Sequence, residues 1–132
     1  MVSMDDLASL EKAVLTKLLD GDHPVLKILR VQSENAAVVS QDYTGVGFFC
    51  SFAVPPGVPR IRDPENFEIG DVFAKIESLQ SGAGFLLFIR SGVLDMLEGY
   101  TYGDESWPED IKQFELRYNT EPRRFEIKTS RV

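Results

Sequence analysis

The sequence predicts a single α+β domain spanning residues 1–132, with an N-terminal helix packed on a largely antiparallel sheet of meander type. Three observations lead there. A stripe of helical period runs from Met4 to Leu19. From Pro24 onward, short runs rich in Val, Ile and Phe alternate with turn residues. The chain has 132 residues, 43% hydrophobic and 27% charged, a size and composition at which one core buries roughly two thirds of the surface the unfolded chain exposes.

The helix rests on Leu7, Leu10, Val14 and Leu18, which recur at three- and four-residue steps, with Ser3 and Asp6 giving a Ser-x-x-Asp capping signature and Gly21 closing the far end. Val25 to Val31 reads as a first strand, turned through Ser33-Glu34-Asn35 into Ala36 to Gln41. Val46 to Val54 reads as the next. Its period of two puts Val46, Phe48, Cys50, Phe52 and Val54 on one face and Gly47, Phe49, Ser51 and Ala53 on the other. Pro55 to Asn66 carries four of the seven prolines and is irregular by composition. Its Arg60 and Arg62 are candidates to dock on an acidic surface of the same chain.

Phe67 to Leu79 resumes the β pattern, with a turn at Gly70-Asp71 and Val72, Ala74 and Ile76 on one face. After the Gly-rich reversal Gln80 to Gly84, Phe85 to Arg90 meets Val93 to Tyr102 across the two-residue turn Ser91-Gly92. An uninterrupted register pairs Ile89 with Leu94, Leu87 with Met96 and Phe85 with Glu98 on one face, continued by Tyr100 and Tyr102. Arg90 then meets Val93, Phe88 meets Asp95, and Leu86 meets Leu97 on the other. Both faces are mostly apolar, so the sheet calls for two covers: the helix, and either the proline-rich loop, the C-terminal segment or another chain. Ser106-Trp107-Pro108-Glu109 carries a second capping box and predicts a short helix from about Trp107 to Lys112. Phe114 to Tyr118 and Phe125 to Lys128 follow as strands.

Charge is distributed unevenly. Asp95, Glu98, Asp104, Glu105, Glu109 and Asp110 fall between Gly92 and Asp110 with no Lys or Arg among them, so −6 of the net −7 lies there. The last stretch, Lys112 to Val132, holds six basic and three acidic residues, a complement for that segment within one molecule. The pI of about 4.7 argues against nucleic acid as a partner, since that affinity rests on Lys and Arg neutralising phosphates, and favours a protein with a basic surface. The N-terminus has neither the basic nor the apolar region of a signal peptide, and no run approaches the roughly 18 apolar residues of a membrane span, which predicts a cytoplasmic protein.

Few residues suit catalysis. His23, the only histidine, precedes Pro24 at an element junction and reads as a loop or capping residue. Cys50, the only cysteine, sits mid-strand among Phe and Val as a buried, inert thiol. Cysteine-cluster and histidine metal sites lack their ligands, and neither Gly45-Val46-Gly47 nor Gly82-Ala83-Gly84 opens a helix as a phosphate cradle does; no cofactor or metal is expected. Glu98 is the carboxylate to watch, since the uninterrupted register sets it on an apolar face where desolvation raises a carboxylate pKa. Asp104, Glu105, Glu109 and Asp110 flank Trp107 and, with Tyr100 and Tyr102, form a candidate recognition surface: aromatics supply contact area and charges supply steering. Trp107 closing the core, with the acids as a solvated rim, is the structural alternative.

The segment LEGYTYGDESWP, Leu97 to Pro108, following GFLLFIRSG at Gly84 to Gly92, resembles segments of small acidic bacterial toxin-immunity and related uncharacterised proteins. The resemblance covers about a quarter of the chain. It implies a compact α+β protein that binds and inhibits a toxin. The leading expectation is therefore a non-catalytic module that blocks a basic, nuclease-like partner. Two others stand beside it: a ligand-binding or enzymatic domain with a pocket around Glu98, and an acidic secretion chaperone or homodimer joined through the doubly apolar hairpin.

Overall fold

A computed structural model describes residues 2–129. In chain order its elements are β1 (Val2–Ser3), a 3-10 turn (Met4–Asp6), α1 (Ser9–Leu18), α2 (Pro24–Asn35), β2 (Ala37–Tyr43), β3 (Gly47–Ala53), β4 (Phe67–Ile69), β5 (Val72–Ile76), β6 (Ala83–Arg90), β7 (Val93–Thr101), a second 3-10 turn (Tyr102–Asp104), β8 (Phe114–Tyr118) and β9 (Lys128–Thr129). The class is α+β, with the helices packed against an antiparallel sheet.

The N-terminal helix begins later than its stripe predicts. Ser3 does cap, its Oγ accepting from the Asp5 amide at 3.2 Å, but the turn it starts is 3-10 and ends at Leu7, where the backbone becomes extended. The α-helix starts only after Ala8, whose N–H donates to the Glu11 carboxylate at 3.1 Å.

Val25 to Val31 is not a strand, and Ser33-Glu34-Asn35 is no hairpin loop: both lie within α2. His23 is the N-cap, its Nδ1 accepting from the Val25 amide at 3.1 Å, and Pro24 fills the first turn. Val25, Leu26, Leu29 and Gln32 are buried at steps of one, three and three, a helical stripe that the local density of Val and Ile masked. Leu26 and Leu29 are essentially inaccessible, and burying each contributes about 1.5–3 kcal/mol.

The strand order is β1-β2-β3-β7-β6-β4-β9, with β5 pairing β6 and β8. It departs from the meander, because β3 lies beside β7 rather than β4, and the later strands β8 and β9 return to pair β5 and β4. The long proline-rich loop carries the chain across to the far side of the hairpin. There β4 pairs Leu87 to Ile89 of β6, while β5 pairs Ala83 and Gly84, so Gly70-Asp71 bends one strand path along β6 instead of reversing it.

The β6–β7 hairpin forms on the predicted turn, with positive φ at Ser91 (53°) and Gly92 (77°), the twist-matched geometry for a two-residue loop. Ile89 pairs Leu94, but a bulge follows. Beyond it Phe88 meets Met96, Leu87 meets Leu97, Leu86 meets Glu98 and Phe85 meets Gly99, which corrects the uninterrupted register. The bulge spends Asp95 on the exposed side and flips every later residue. Leu97 now points inward with Leu87, Phe85, Phe48 and Cys50, and Glu98 points outward.

Both helices pack on this inner face, where Val14, Leu18, Leu26, Leu29, Phe67, Phe85, Leu87, Ile89 and Leu97 are fully buried in one cluster. The outer face carries Phe49, Phe73, Leu86, Phe88, Met96, Glu98 and Tyr100, all half-buried. The proline-rich loop does not cover it. Instead Ile61 is buried, its amide donating to the Gly92 carbonyl at 3.0 Å, while the Gly92 amide donates to Glu65 at 2.8 Å.

Gln32 clamps the same place. Its side chain, fully buried, donates to the Pro59 and Gly92 carbonyls and accepts from the Leu94 amide, each at 2.9 Å. The loop with Arg60 and Arg62 thus sits at the turn end of β7, away from Asp104 to Asp110. The basic C-terminal stretch goes elsewhere too. Arg123 bonds both Asp71 oxygens at 2.7 and 3.0 Å and the Leu18 and Asp20 carbonyls at 2.9 and 2.7 Å, capping the C-terminal end of α1 where a cation is favoured.

No helix forms from Trp107 to Lys112. So short a helix cannot recover its nucleation cost alone, and the Trp107 amide donates instead to the Gly45 carbonyl at 2.8 Å. Phe125 to Ile127 are likewise not strand, and only Lys128–Thr129 pairs, with β4.

Candidate functional site

Three backbone hydrogen bonds lay the segment after β7 against its neighbours. The Thr101 amide donates to Val46 at 2.9 Å, Tyr102 to Gly82 at 3.1 Å, and Trp107 to Gly45 at 2.8 Å. Trp107 is thereby held against the edge of the core, its ring 5.2 Å from that of Phe48. Trp107 to Ile111 then run past the start of α1. Between them opens a cleft of about 620 Å³, lined by Ala8 to Glu11, Tyr43 and Trp107 to Ile111, within the usual range for ligand sites.

The floor of the cleft is polar for a local reason. Glu11 lies three, four and seven residues before Val14, Leu15 and Leu18 on the buried stripe of α1, so the side chain at that position must face inward. It is only 5% exposed. One carboxylate oxygen accepts from the Ala8 amide at 3.1 Å and the other from Gln41 Nε2 at 3.4 Å. Burial raises its pKa above the ordinary carboxylate value, the Ala8 hydrogen bond opposing. Its charge reaches its neighbours: burial and then Glu11 raise the Tyr43 phenol, and the same two causes push the Cys50 thiol up to about 11. Cys50 is 1% exposed.

The predicted site residues divide into three places. Trp107, Glu109 and Asp110 line the cleft, with Glu109 and Asp110 exposed. Asp110 has a solvent-exposed contact with Lys112 at 3.6 Å, a weak pair.

Glu105 is engaged within the fold, its carboxylate accepting from the Gln80 amide at 2.9 and 3.1 Å and from Ser81 at 3.1 Å. It closes the Gln80 to Gly84 reversal. Asp104 beside it is exposed, with φ of 60°.

Tyr100, Tyr102 and Glu98 belong to the outer side of the sheet. The tyrosine rings meet edge to face at 5.5 Å, and Tyr102 stacks on Phe73 at 6.1 Å. Both hydroxyls lie over Gly84, where a Cβ would come within 2.6 Å of the Tyr102 oxygen. Burial, followed by the Tyr102 hydrogen bond, pushes Tyr100 up to about 12. Glu98 faces outward between Phe49 and Leu86, and burial, then the neighbouring Glu68 charge, raises its pKa.

Glu11 and Tyr43 were not singled out from the sequence. An acid interrupting the apolar stripe of α1 was the available sign for Glu11. Tyr43 carried none, since its place depends on how β2 passes the helix. Among the described residues, no three His, Cys, Asp or Glu side chains are grouped to hold a metal ion, and no helix is long and apolar enough to cross a membrane. No protein-family model, curated protein or solved structure matches the chain.

Proposed function

We propose that this α+β domain is a non-catalytic binding module that engages a protein partner with a basic surface through Asp104, Trp107, Glu109 and Asp110. One observation carries this reading. Two exposed acids, Glu109 and Asp110, stand beside a half-buried tryptophan at the mouth of a cleft, Asp104 is exposed on the turn before it, and Arg123 of the basic C-terminal stretch is bonded to Asp71 and the end of α1. Charge of this kind steers association and selects partners, while the aromatic supplies contact area. A toxin is the partner class that the resemblance of Leu97 to Pro108 implies, and the acids point to a basic, nuclease-like one, with inhibition by covering its basic cleft.

The test is affinity for a partner captured from the native host. Combining Asp104→Asn, Glu109→Lys and Asp110→Lys should weaken binding at least about tenfold and flatten its salt dependence; unchanged affinity overturns the proposal. Glu105 is left intact in this variant because its carboxylate is structural.

A second reading rests on a different observation. The outer sheet face presents Phe49, Leu86, Phe88 and Met96 half-exposed, as an interface between two copies would. Sedimentation equilibrium decides: a dimer that Phe88→Glu converts to monomer supports it, and a wild-type monomer at high concentration removes it.

A further inference from the structure

The start of a helix ordinarily attracts anions, since its first amides point outward and its dipole is positive there. In the cleft this demand is met from within, because Glu11 accepts the Ala8 amide. Beyond that bond the lining carries two more carboxylates, Glu109 and Asp110, two aromatic rings, Tyr43 and Trp107, and no Lys, Arg or His. Tyr43 is 65% exposed, although aromatic. A cavity with aromatic walls and two exposed carboxylates, of which Asp110 has only the loose, solvent-exposed Lys112 contact beside it, is complementary to a cation that is flat, weakly hydrated and able to bond two oxygens at once. Guanidinium fits that description better than ammonium.

We infer that the cleft between α1 and the Trp107–Ile111 segment is a socket for one arginine side chain of the partner, stacked between Tyr43 and Trp107 and paired with Glu109 and Asp110 above Glu11. This rests on the reading of a basic protein partner and deepens it. The acids at the mouth attract the partner, and the socket fixes which residue enters. The volume of about 620 Å³ accommodates the side chain together with adjoining backbone.

Trp107 is the only tryptophan of the chain, so its fluorescence reports on the socket directly. The intact protein is titrated with a capped Gly-Arg-Gly peptide and with the same peptide carrying citrulline, which keeps the shape and removes the charge. A saturable change with arginine, absent with citrulline and weakened roughly tenfold by Tyr43→Ala or by Glu109→Gln with Asp110→Asn, is the expected result. These residues are exposed or at the rim, so the variants keep the fold; Glu11→Gln, which retains an acceptor for Ala8, tests the floor. Equal responses to arginine and citrulline, or no saturation, overturn the socket. If the peptide fails while the Asp104, Glu109 and Asp110 variant still loses its captured partner, the socket is wrong and the acidic surface stands. If the peptide binds while that variant keeps its partner, the socket stands as a guanidinium site and the acidic surface is wrong.

Discussion

At the scale of single residues, the fold depends on a few polar side chains placed where no apolar group could do the same work. Gln32 joins α2, the proline-rich loop and β7 through three hydrogen bonds inside the core. Gln32→Leu strands the Pro59 carbonyl and the Leu94 amide, each costing about 1–3 kcal/mol when left unpaired and buried, while the Gly92 carbonyl keeps the Ile61 amide. Urea denaturation should show a loss of at least about 2 kcal/mol. Glu11 makes stability depend on pH in a predictable sense. Its pKa is higher folded than unfolded, so protonated Glu11 favours the folded state. That contribution is complete below the unfolded-state pKa and is lost as pH rises through the folded-state value. The stability of the wild type relative to Glu11→Gln should therefore fall as pH rises from below the unfolded-state value through the raised folded-state one, and a rise over that interval would contradict the assignment. Cys50, with its thiol pushed up to about 11 and 1% exposed, should resist a thiol reagent at neutral pH in the native state and react only as fast as the protein unfolds. Of these residues, Cys50 was legible from its strand position and His23 from Pro24 beside it. Gln32 was not, because a buried glutamine is recognisable only once its three partners converge from distant parts of the chain.

At the scale of elements, local chemistry decided what could be read. Ser91-Gly92 specifies its turn through two positive φ values, and the alternation in β3 faithfully separates inner Phe48, Cys50 and Phe52 from outer Phe49, Ser51 and Ala53. The bulge after Leu94 has no such local signature. It arises because Leu94 and Leu97, three apart, must both enter one core, and an unbroken strand would send them to opposite faces. The same mechanism moved Glu98 outward and removed it from the apolar interior. In α2, β-branched residues in a short window outweighed a helical spacing, and the helix formed because its stripe found β7 to pack against. Close approach leaves its own mark in β7. A Cβ on Gly99 would lie 2.4 Å from the Phe48 ring, which is held between Phe85 and Trp107. Gly99→Ala should cost about 1–3 kcal/mol, as overpacking does, and shift Trp107 emission through the displaced ring. Unchanged stability and emission would show that Phe48 has room to move.

At the scale of the whole molecule, the charge asymmetry of the sequence survives folding but narrows in meaning. Six acids in one segment become an outward strand residue, a bulge, a structural acceptor, an exposed turn residue and two exposed carboxylates at a cleft. The sequence contains the acids; only the packing of α1 against β2 and the Trp107 segment supplies the cavity beside them. Arg123, meanwhile, ties the last part of the chain to the Leu18 and Asp20 carbonyls and to Asp71, with its guanidinium over Tyr118 and Phe125. Arg123→Ala should lower stability by about 1.5–3 kcal/mol, the range for hydrogen bonds to a charged group, because Asp71 is only partly buried, and Arg123→Lys should recover little, because an ammonium cannot reproduce the fork. A melting curve on each variant checks both. That clamp also makes distant parts of the domain interdependent. Arg30 of α2 holds the Leu19 carbonyl from nearby, whereas the Leu18 and Asp20 carbonyls take their partner from a residue more than a hundred positions further on. Damage around Arg123 is therefore felt at the C-terminal end of α1, with no change in the helix's own sequence.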